Sequence, residues 1–178
     1  FSEISPVSLQ KASKVHHVGA IQSEYSLSTR FPELGLLQKT KELETAFVAF
    51  SPVGRGLLTD KPPTPERVIN SPFLSVNPRF QEPNLSENIT AVKGFQNLAK
   101  DYGLSAAGLA IAWLIAKDEH VIPIPGTRST IHLKEMIKGT EKKLNQEDLN
   151  EIEKTIPVGW AHGDRYSDIQ WIGPEKYC

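Results

Sequence analysis

The sequence predicts an α/β fold whose strands run parallel, and three observations carry that reading. Four short apolar segments, at residues 1–4, 18–25, 46–50 and 121–124, alternate with helix-like patterns. Alternation of this kind gives a parallel sheet with right-handed crossovers. Each apolar run also ends in a polar or glycine-bearing tail: Ser2-Glu3, Gln22-Ser23-Glu24-Tyr25, the residues from Phe50 to Gly56, and Ile124-Pro125-Gly126-Thr127-Arg128. The carboxyl ends of parallel strands are where such folds place their sites. Finally, the chain has 178 residues, 39% of them hydrophobic and 23% charged, which supports a sizeable core. Four such units make half of a doubly wound sheet or half of a (β/α)₈ barrel, since a full barrel takes about 250 residues. Four barrel strands alone leave two unpaired edges and one naked apolar face, so a partner half is expected.

Taken in order, residues 1–4 (FSEI) read as the end of a strand. Ser5-Pro6 then supplies an N-cap and a first-turn proline for a helix expected to reach Val15. Residues 18–25 (VGAIQSEY) form the second strand. Phe31-Pro32 starts a helix to about Glu44, with Leu34, Leu37 and Leu43 as its apolar positions. Residues 46–50 (AFVAF) are the third strand, stopped by Ser51-Pro52. Residues 60–83 are proline-rich and read as a surface loop with little regular structure. Ser86 is the expected cap of a helix to Tyr102, with Gly103 just past its end, and Ser105 caps another helix through Lys117. Residues 109–116 are apolar almost all round, which predicts a buried helix. In the fourth strand, Pro123 argues for a strand end rather than a regular central strand, and Pro125-Gly126 closes it. Two helices remain. Residues 129–138 carry Ile131, Met136 and Ile137 as an expected core stripe; residues 145–155, followed by Ile156, carry Leu149 and Ile152. Asn145 with Asp148 three positions on resembles a capping box.

Composition narrows the function classes. Twenty basic and twenty-one acidic residues give a net charge of −1 without long runs, which argues against nucleic acid or an anionic membrane as a partner. The longest apolar stretch, residues 106–116, is shorter than the roughly 18–20 residues a membrane span needs. A single cysteine, Cys178, excludes an internal disulfide framework and fits a reducing, cytoplasmic location. The five histidines, His16, His17, His120, His132 and His162, show no metal-ligand spacing, so no metal site is expected. Asn84-Leu85-Ser86 and Asn88-Ile89-Thr90 match the glycosylation sequon, read as accidental in a chain without disulfide cysteines. Residues 141–143 are a solvated charged face. The only methionine is Met136, so the sequence is expected to be part of a longer chain, with any targeting segment upstream.

Several strand-end residues carry chemistry. Gly126-Thr127-Arg128-Ser129 directly precedes a helix, and helix-start N–H groups with an arginine and hydroxyls suit a phosphate. The alternative is a tight turn and a cap. Phe50 can stack on a flat ring or belong to the core, and Gln22 can bond an amide or a neighbouring backbone group.

Together, four segments carry a resemblance: residues 22–27 (QSEYSL), 50–59 (FSPVGRGLLT), 124–128 (IPGTR) and 163–166 (GDRY). The chain resembles the C-terminal half of an aldo-keto reductase over essentially its whole length. The resemblance implies that residues 1–178 are the C-terminal half of a (β/α)₈ TIM barrel, one domain with a long loop at about 60–83 and a tail at about 157–178. It also implies NADPH, extended across the strand ends. Ser2 and Gln22 would hold the nicotinamide carboxamide and Phe50, where the family often has tyrosine, would stack beneath the ring. Ser51, Pro52, Val53, Gly54 and Arg55 would line the pyrophosphate. Gly126, Thr127, Arg128 and His132 would surround the 2′-phosphate, and Glu135 would reach the adenine amino group. Arg128 and Thr127 favour NADPH over NADH, because a guanidinium pairs well with a phosphate dianion. Two positions depart from the family pattern: Glu3 and Met136 each stand where an asparagine is common.

The implied activity is reduction of small aldehydes or ketones. The family's aspartate, tyrosine, lysine and histidine tetrad lies on earlier strands, in the missing N-terminal half, so no catalytic residue is assigned. Tyr25 and Tyr166 are not its equivalents. A second reading is an NADPH-binding regulatory subunit like the channel β subunits, and a third is a truncated half-barrel inactive by itself. In the tail, Trp160, Tyr166 and Trp171 either line an aromatic pocket or pin the tail to the barrel.

Overall fold

Three strands, β1 (Ala20–Glu24), β2 (Ala46–Phe50) and β3 (Val121–Pro123), pair in parallel in the order β1-β2-β3. This computed structural model describes residues 1–176, and Cys178 lies outside the described residues. The expected first strand is reduced to a bridge between Ser2 and Gln22 on the outer side of β1. The Glu3 N–H donates to the Gln22 carbonyl at 2.8 Å and the Gln22 N–H to the Phe1 carbonyl at 2.9 Å. Glu3 then turns to φ +53° and Ser5 opens a helix, so the ladder stops there. Strand order thus follows chain order without reversal, as in a barrel wall, whereas a doubly wound sheet reverses at its switch point.

The two faces of the sheet differ. Ile21, Ser23, Phe47, Ala49 and Val121 are buried against helices. The alternate residues are open: Ala20 and Gln22 are exposed, Val48 and Phe50 half-buried, and Ile122 is 48% exposed. Parallel sheets are ordinarily covered on both faces. One covered and one open face is what a barrel wall presents when only its outer side carries helices.

The helices follow the sequence with instructive shifts. Ser5 caps α1 (Pro6–Ser13) by accepting from the Ser8 N–H, and the helix ends two residues short of Val15. The segment expected to be one helix from Phe31 is two pieces, a 3₁₀ turn (Phe31–Leu34) and α2 (Leu36–Glu42). Gly35 separates them at φ +140°, a conformation glycine adopts freely. The break resets the helical register, so Leu36 and Thr40 face inward and Leu34 is 72% exposed. The proline-rich loop is more ordered than expected. It holds α3 (Pro65–Ile69), capped by Thr64, and a 3₁₀ turn (Pro78–Phe80), and it buries Val68, Leu74 and Phe80.

Helix α4 (Asn84–Asp101) begins before Ser86, with Pro83 at its cap, so Ser86 is an interior residue. Asn88, in the second sequon, is buried: its amide donates to the Arg79 and His162 carbonyls and accepts from the His162 N–H. Ser105 caps α5 (Ala106–Lys117), whose first nine residues are all buried. Ser129 caps α6 (Thr130–Glu141). The expected stripe on α6 holds at Met136 alone: Met136 and Gly139 are buried, while Ile131 is 67% and Ile137 48% exposed. The cause is a backbone-to-backbone approach to α5, where a Cβ on Gly139 would lie 2.2 Å from the Gly108 carbonyl oxygen. That contact selects the Met136–Gly139 face and turns the isoleucines outward. Helix α7 (Gln146–Thr155) carries the expected capping box of Asn145 and Asp148, with Ile152 and Ile156 buried.

The core centres on Trp113, whose ring meets Tyr25 at 5.4 Å; Tyr25 in turn meets Phe47 edge-on at 5.8 Å. Arg30 covers the indole at 4.6 Å and pairs with Glu33 and Glu153, which also hold Lys117. At the opposite end of the strands, Asp118 accepts from Lys41 at 2.7 Å. The hydrogen bond from Lys41, then that from His120, holds the Asp118 carboxyl down to about 2.

Three outcomes follow from the glycine contacts and the Asp118 pair. Gly139→Ala is expected to lower stability by about 1–3 kcal/mol in urea unfolding, because the helices must separate. Gly94→Ala, whose Cβ meets only the Thr155 methyl at 3.4 Å, is expected to hold or raise it by up to about 1 kcal/mol. For Asp118, a lowered folded value means stabilisation present above its ordinary value near 4 and lost as pH falls through about 2. An acid-melt comparison with Asp118→Asn should show the two proteins converging at the lowest pH.

Candidate functional site

The carboxyl ends of the strands gather most of the residues the sequence singled out. The bridge places Ser2 beside Gln22, and both are exposed. Phe50 closes β2 opposite Glu24 and is half-buried. The turn after it is contorted: Ser51 and Arg55 stand at φ +50° and +56°, in the left-handed region that non-glycine residues rarely enter. Pro52 and Gly54 are buried within this turn and Val53 is half-buried. Past β3, the Ile124 N–H donates to the Ala49 carbonyl at 3.0 Å, which keeps the next turn alongside Phe50.

That next turn, residues 126–128, is exposed. Thr127 Oγ1 accepts the Ser129 N–H at 3.1 Å, and Ser129 Oγ accepts the His132 N–H at 3.4 Å, so the α6 start is capped from within. Arg128 makes no hydrogen bond or ion pair among the described residues. His132 is exposed and Glu135 half-buried one turn further along α6. Met136 packs with Ala107 and Ile111 inside the protein, which makes it a core residue.

Arg55 differs from expectation. Its guanidinium is engaged in the interior, donating to Glu24 Oε2 and to the Arg165 carbonyl, each at 2.5 Å. It lies between the rings of Phe73, at 4.9 Å, and Tyr166, at 4.7 Å. Its charge is therefore spent inside the protein, and only its left-handed backbone faces the turn.

Behind the strand ends lies a buried charge cluster that the sequence reading missed. Glu24 accepts from Arg55, from Arg165 Nη1 at 3.3 Å and from Thr29 Oγ1 at 3.2 Å. Glu3 pairs with Arg165 Nη2 at 2.7 Å and accepts the Glu24 N–H at 3.0 Å. Glu3 thus has a structural role: it neutralises a fully buried arginine. Arg165 is stacked between Tyr166, at 4.6 Å, and Trp171, at 4.8 Å. The only sequence signals were that Glu3 departed from the family pattern and that Arg165 sat in a quoted motif.

The cluster fastens the tail across the strand ends. Trp160 is buried and donates to the Leu27 carbonyl at 2.8 Å; Asn77 donates to the Arg165 carbonyl. Near the end of the tail, the Glu175 N–H donates to the Glu3 carbonyl at 2.9 Å. The Glu175 carboxylate accepts from the Ser5 N–H at 2.9 Å and Ser8 Oγ at 3.0 Å, which hold its titration below the usual range. Trp160, Tyr166 and Trp171 all serve this attachment. Burial pushes the Tyr25 and Tyr166 phenols upward, so neither releases a proton readily. No group of three or more His, Cys, Asp or Glu side chains among the described residues is placed to hold a metal ion. No single helix among them is long and apolar enough to cross a membrane.

Removing one partner from a buried ion-pair cluster leaves an uncompensated charge. Glu24→Gln is expected to cost about 3–5 kcal/mol in urea unfolding. Limited proteolysis should then cut within residues 157–176 before it cuts the sheet.

The sequence matches the family model described as the aldo/keto reductase family over residues 1–157. A probable aldo-keto reductase 1 from Glycine max is 37% identical over 165 residues, 93% of this chain and 47% of that protein. The aldo-keto reductase yakc of Schizosaccharomyces pombe, whose name specifies NADP(+), is 30% identical over 168 residues, 93% of this chain and 49% of that protein. The chain spans about half the length of the curated relatives it matches. Among solved structures, the glycerol dehydrogenase of Gluconobacter oxydans superposes with a TM-score of 0.71 at 23% identity, covering 86% of this chain and 47% of that one. A thermostable aldo-keto reductase in complex with the inhibitor epalrestat gives 0.63 at 24% identity, with 86% and 46% covered. With a parallel wall of unreversed strand order, and a family match that runs through every strand of it, the chain belongs to the aldo/keto reductase family.

Proposed function

We propose that the protein carrying this chain is an NADPH-dependent oxidoreductase that reduces small aldehydes or ketones to alcohols. In this reading the chain is the cofactor-holding C-terminal half of a (β/α)₈ barrel. The observation that carries it is the exposed, unpaired guanidinium of Arg128. It sits beside the Thr127 hydroxyl at the start of α6 and immediately past a strand end. A free cation at a helix N-terminus suits a phosphate dianion. The residues therefore fit the cofactor at its 2′-phosphate end.

The other strand ends extend the fit. Ser2 and Gln22 would hold the carboxamide, and the half-buried Phe50 would support the nicotinamide ring. Ser51, Pro52, Val53, Gly54 and Arg55 would approach the pyrophosphate through backbone, and Gly126 and His132 would flank Arg128. Glu135 would face the adenine, where Met136 supplies no hydrogen bond. NADPH, when bound, supplies hydride to the carbonyl carbon, and a proton donor on the complementary half completes the reaction. The open sheet face, with Ile122 and Ile124 exposed, is where that half would close the barrel. A cytoplasmic location belongs to the same proposal.

Arg128→Ala, made in the full-length protein, should weaken NADPH binding about 10- to 150-fold, the equivalent of a lost charge-assisted contact of roughly 1.5–3 kcal/mol. NADH binding should change less than about twofold. Fluorescence titration of both cofactors checks this, and equal weakening would remove the 2′-phosphate role. Turnover of simple aldehydes by the purified protein, without a membrane partner, separates the reductase from a regulatory NADPH-binding subunit.

A further inference from the structure

A cavity of about 440 Å³ lies between the turn after β1 and the tail, and none of the cofactor-binding candidates lines it. We propose that it binds a small organic carboxylate, an anion with an apolar body. The inference stands apart from the NADPH reading, because it rests on different residues.

Charge is the first support. Four charged residues line the cavity: Arg30, Arg79, Asp164 and Lys176. Arg30 belongs to a closed group in which two cations, Arg30 and Lys117, face two carboxylates, Glu33 and Glu153. On the other side, Arg55 and Arg165 face Glu3 and Glu24. Both neighbouring clusters are thus balanced. Arg79 and Lys176 remain against the single carboxylate of Asp164, which leaves one positive charge in excess.

The second support is how Arg79 is held. The residue is only 7% exposed, yet it has no carboxylate within ion-pair distance among the described residues. Its Nη1 donates to Thr29 Oγ1 at 3.0 Å and its Nε to the Gly163 carbonyl at 3.4 Å, both neutral acceptors. Its remaining nitrogen has no partner among the described residues. Burial pushes the guanidinium down to about 10, so it stays charged at neutral pH. The carboxylates that act on it, Glu24 and Asp164, do so only from beyond ion-pair distance, and a buried cation so incompletely compensated is costly. A monoanion in the adjoining cavity relieves that cost and cancels the excess charge, where a dianion would overshoot it.

The third support is the rest of the wall. Leu27, Phe31, Leu34, Val158, Ala161 and Trp171 are apolar, and the volume lies in the range of small-molecule sites. A bare inorganic anion leaves this surface uncovered, whereas an aryl or alkyl carboxylate covers it.

The test is a tryptophan-fluorescence titration of the full chain, with Trp171 in the wall as reporter. The probes are benzoate, its neutral isostere benzamide, and inorganic sulfate. Saturable benzoate binding is expected, at least tenfold tighter than either benzamide or sulfate. Arg79→Gln should weaken benzoate at least tenfold, and Lys176→Gln, on the surface, several-fold. If Arg79→Gln does not fold, Lys176→Gln and the benzamide comparison still decide. Absence of saturation by benzoate, equal binding of benzamide, sulfate as tight as benzoate, or unchanged affinity in Lys176→Gln would each overturn the proposal.

Discussion

The carboxylate of Glu24 is the contact on which the upper end of this structure depends. It sits at the last position of β1, where the sheet delivers it to the carboxyl end of the wall. Two guanidiniums converge on it from segments 31 and 141 residues away. Without that charge, Arg55 and Arg165 would repel each other in a buried space. With it, the turn after β2 and the tail become one body. The left-handed Arg55 is held by the same arrangement, since its guanidinium bonds both Glu24 and the Arg165 carbonyl.

Family membership and local chemistry answer different questions here. The match to aldo/keto reductases accounts for the wall, its strand order and its strand-end turns. It does not account for Glu3, which departs from the common pattern and is explained by the buried Arg165 beside it. Nor does it account for Met136, which the close approach of α6 to α5 turns into a core residue. In both cases the side chain is used toward the protein itself.

Much of the wall was legible because its signals are local. Ala46 to Phe50 is a short apolar run stopped by Ser51-Pro52, and the strand has those limits. Ser105, and Asn145 with Asp148, announce helix starts through side-chain-to-backbone bonds that need no tertiary partner. What failed was whatever depends on the third dimension. The stripe on α6 has helical spacing, but spacing alone cannot tell which face meets α5; the Gly108–Gly139 contact decides that. Gly35 looked like one residue within a helix because its positive φ is invisible in composition. At the site, the structure puts Gln22 within β1, Phe50 at the end of β2 and Arg128 in the exposed turn before α6. The inward engagement of Arg55 was not legible, since its partners lie on other elements.

The ends of the described chain meet: Glu175 caps the start of α1 and bonds the Glu3 backbone. Closing so long a loop is entropically unfavourable until the intervening sheet holds its ends near each other. Docking of the tail is therefore favoured once the sheet has formed. Before the tail docks, Glu24 keeps Arg55 as its partner, while Glu3 beside it has no cation. That uncompensated acid penalises the half-made wall, and docking of Arg165 relieves it. The latch thus serves as a completion check, rewarding the wall only when the tail is in place.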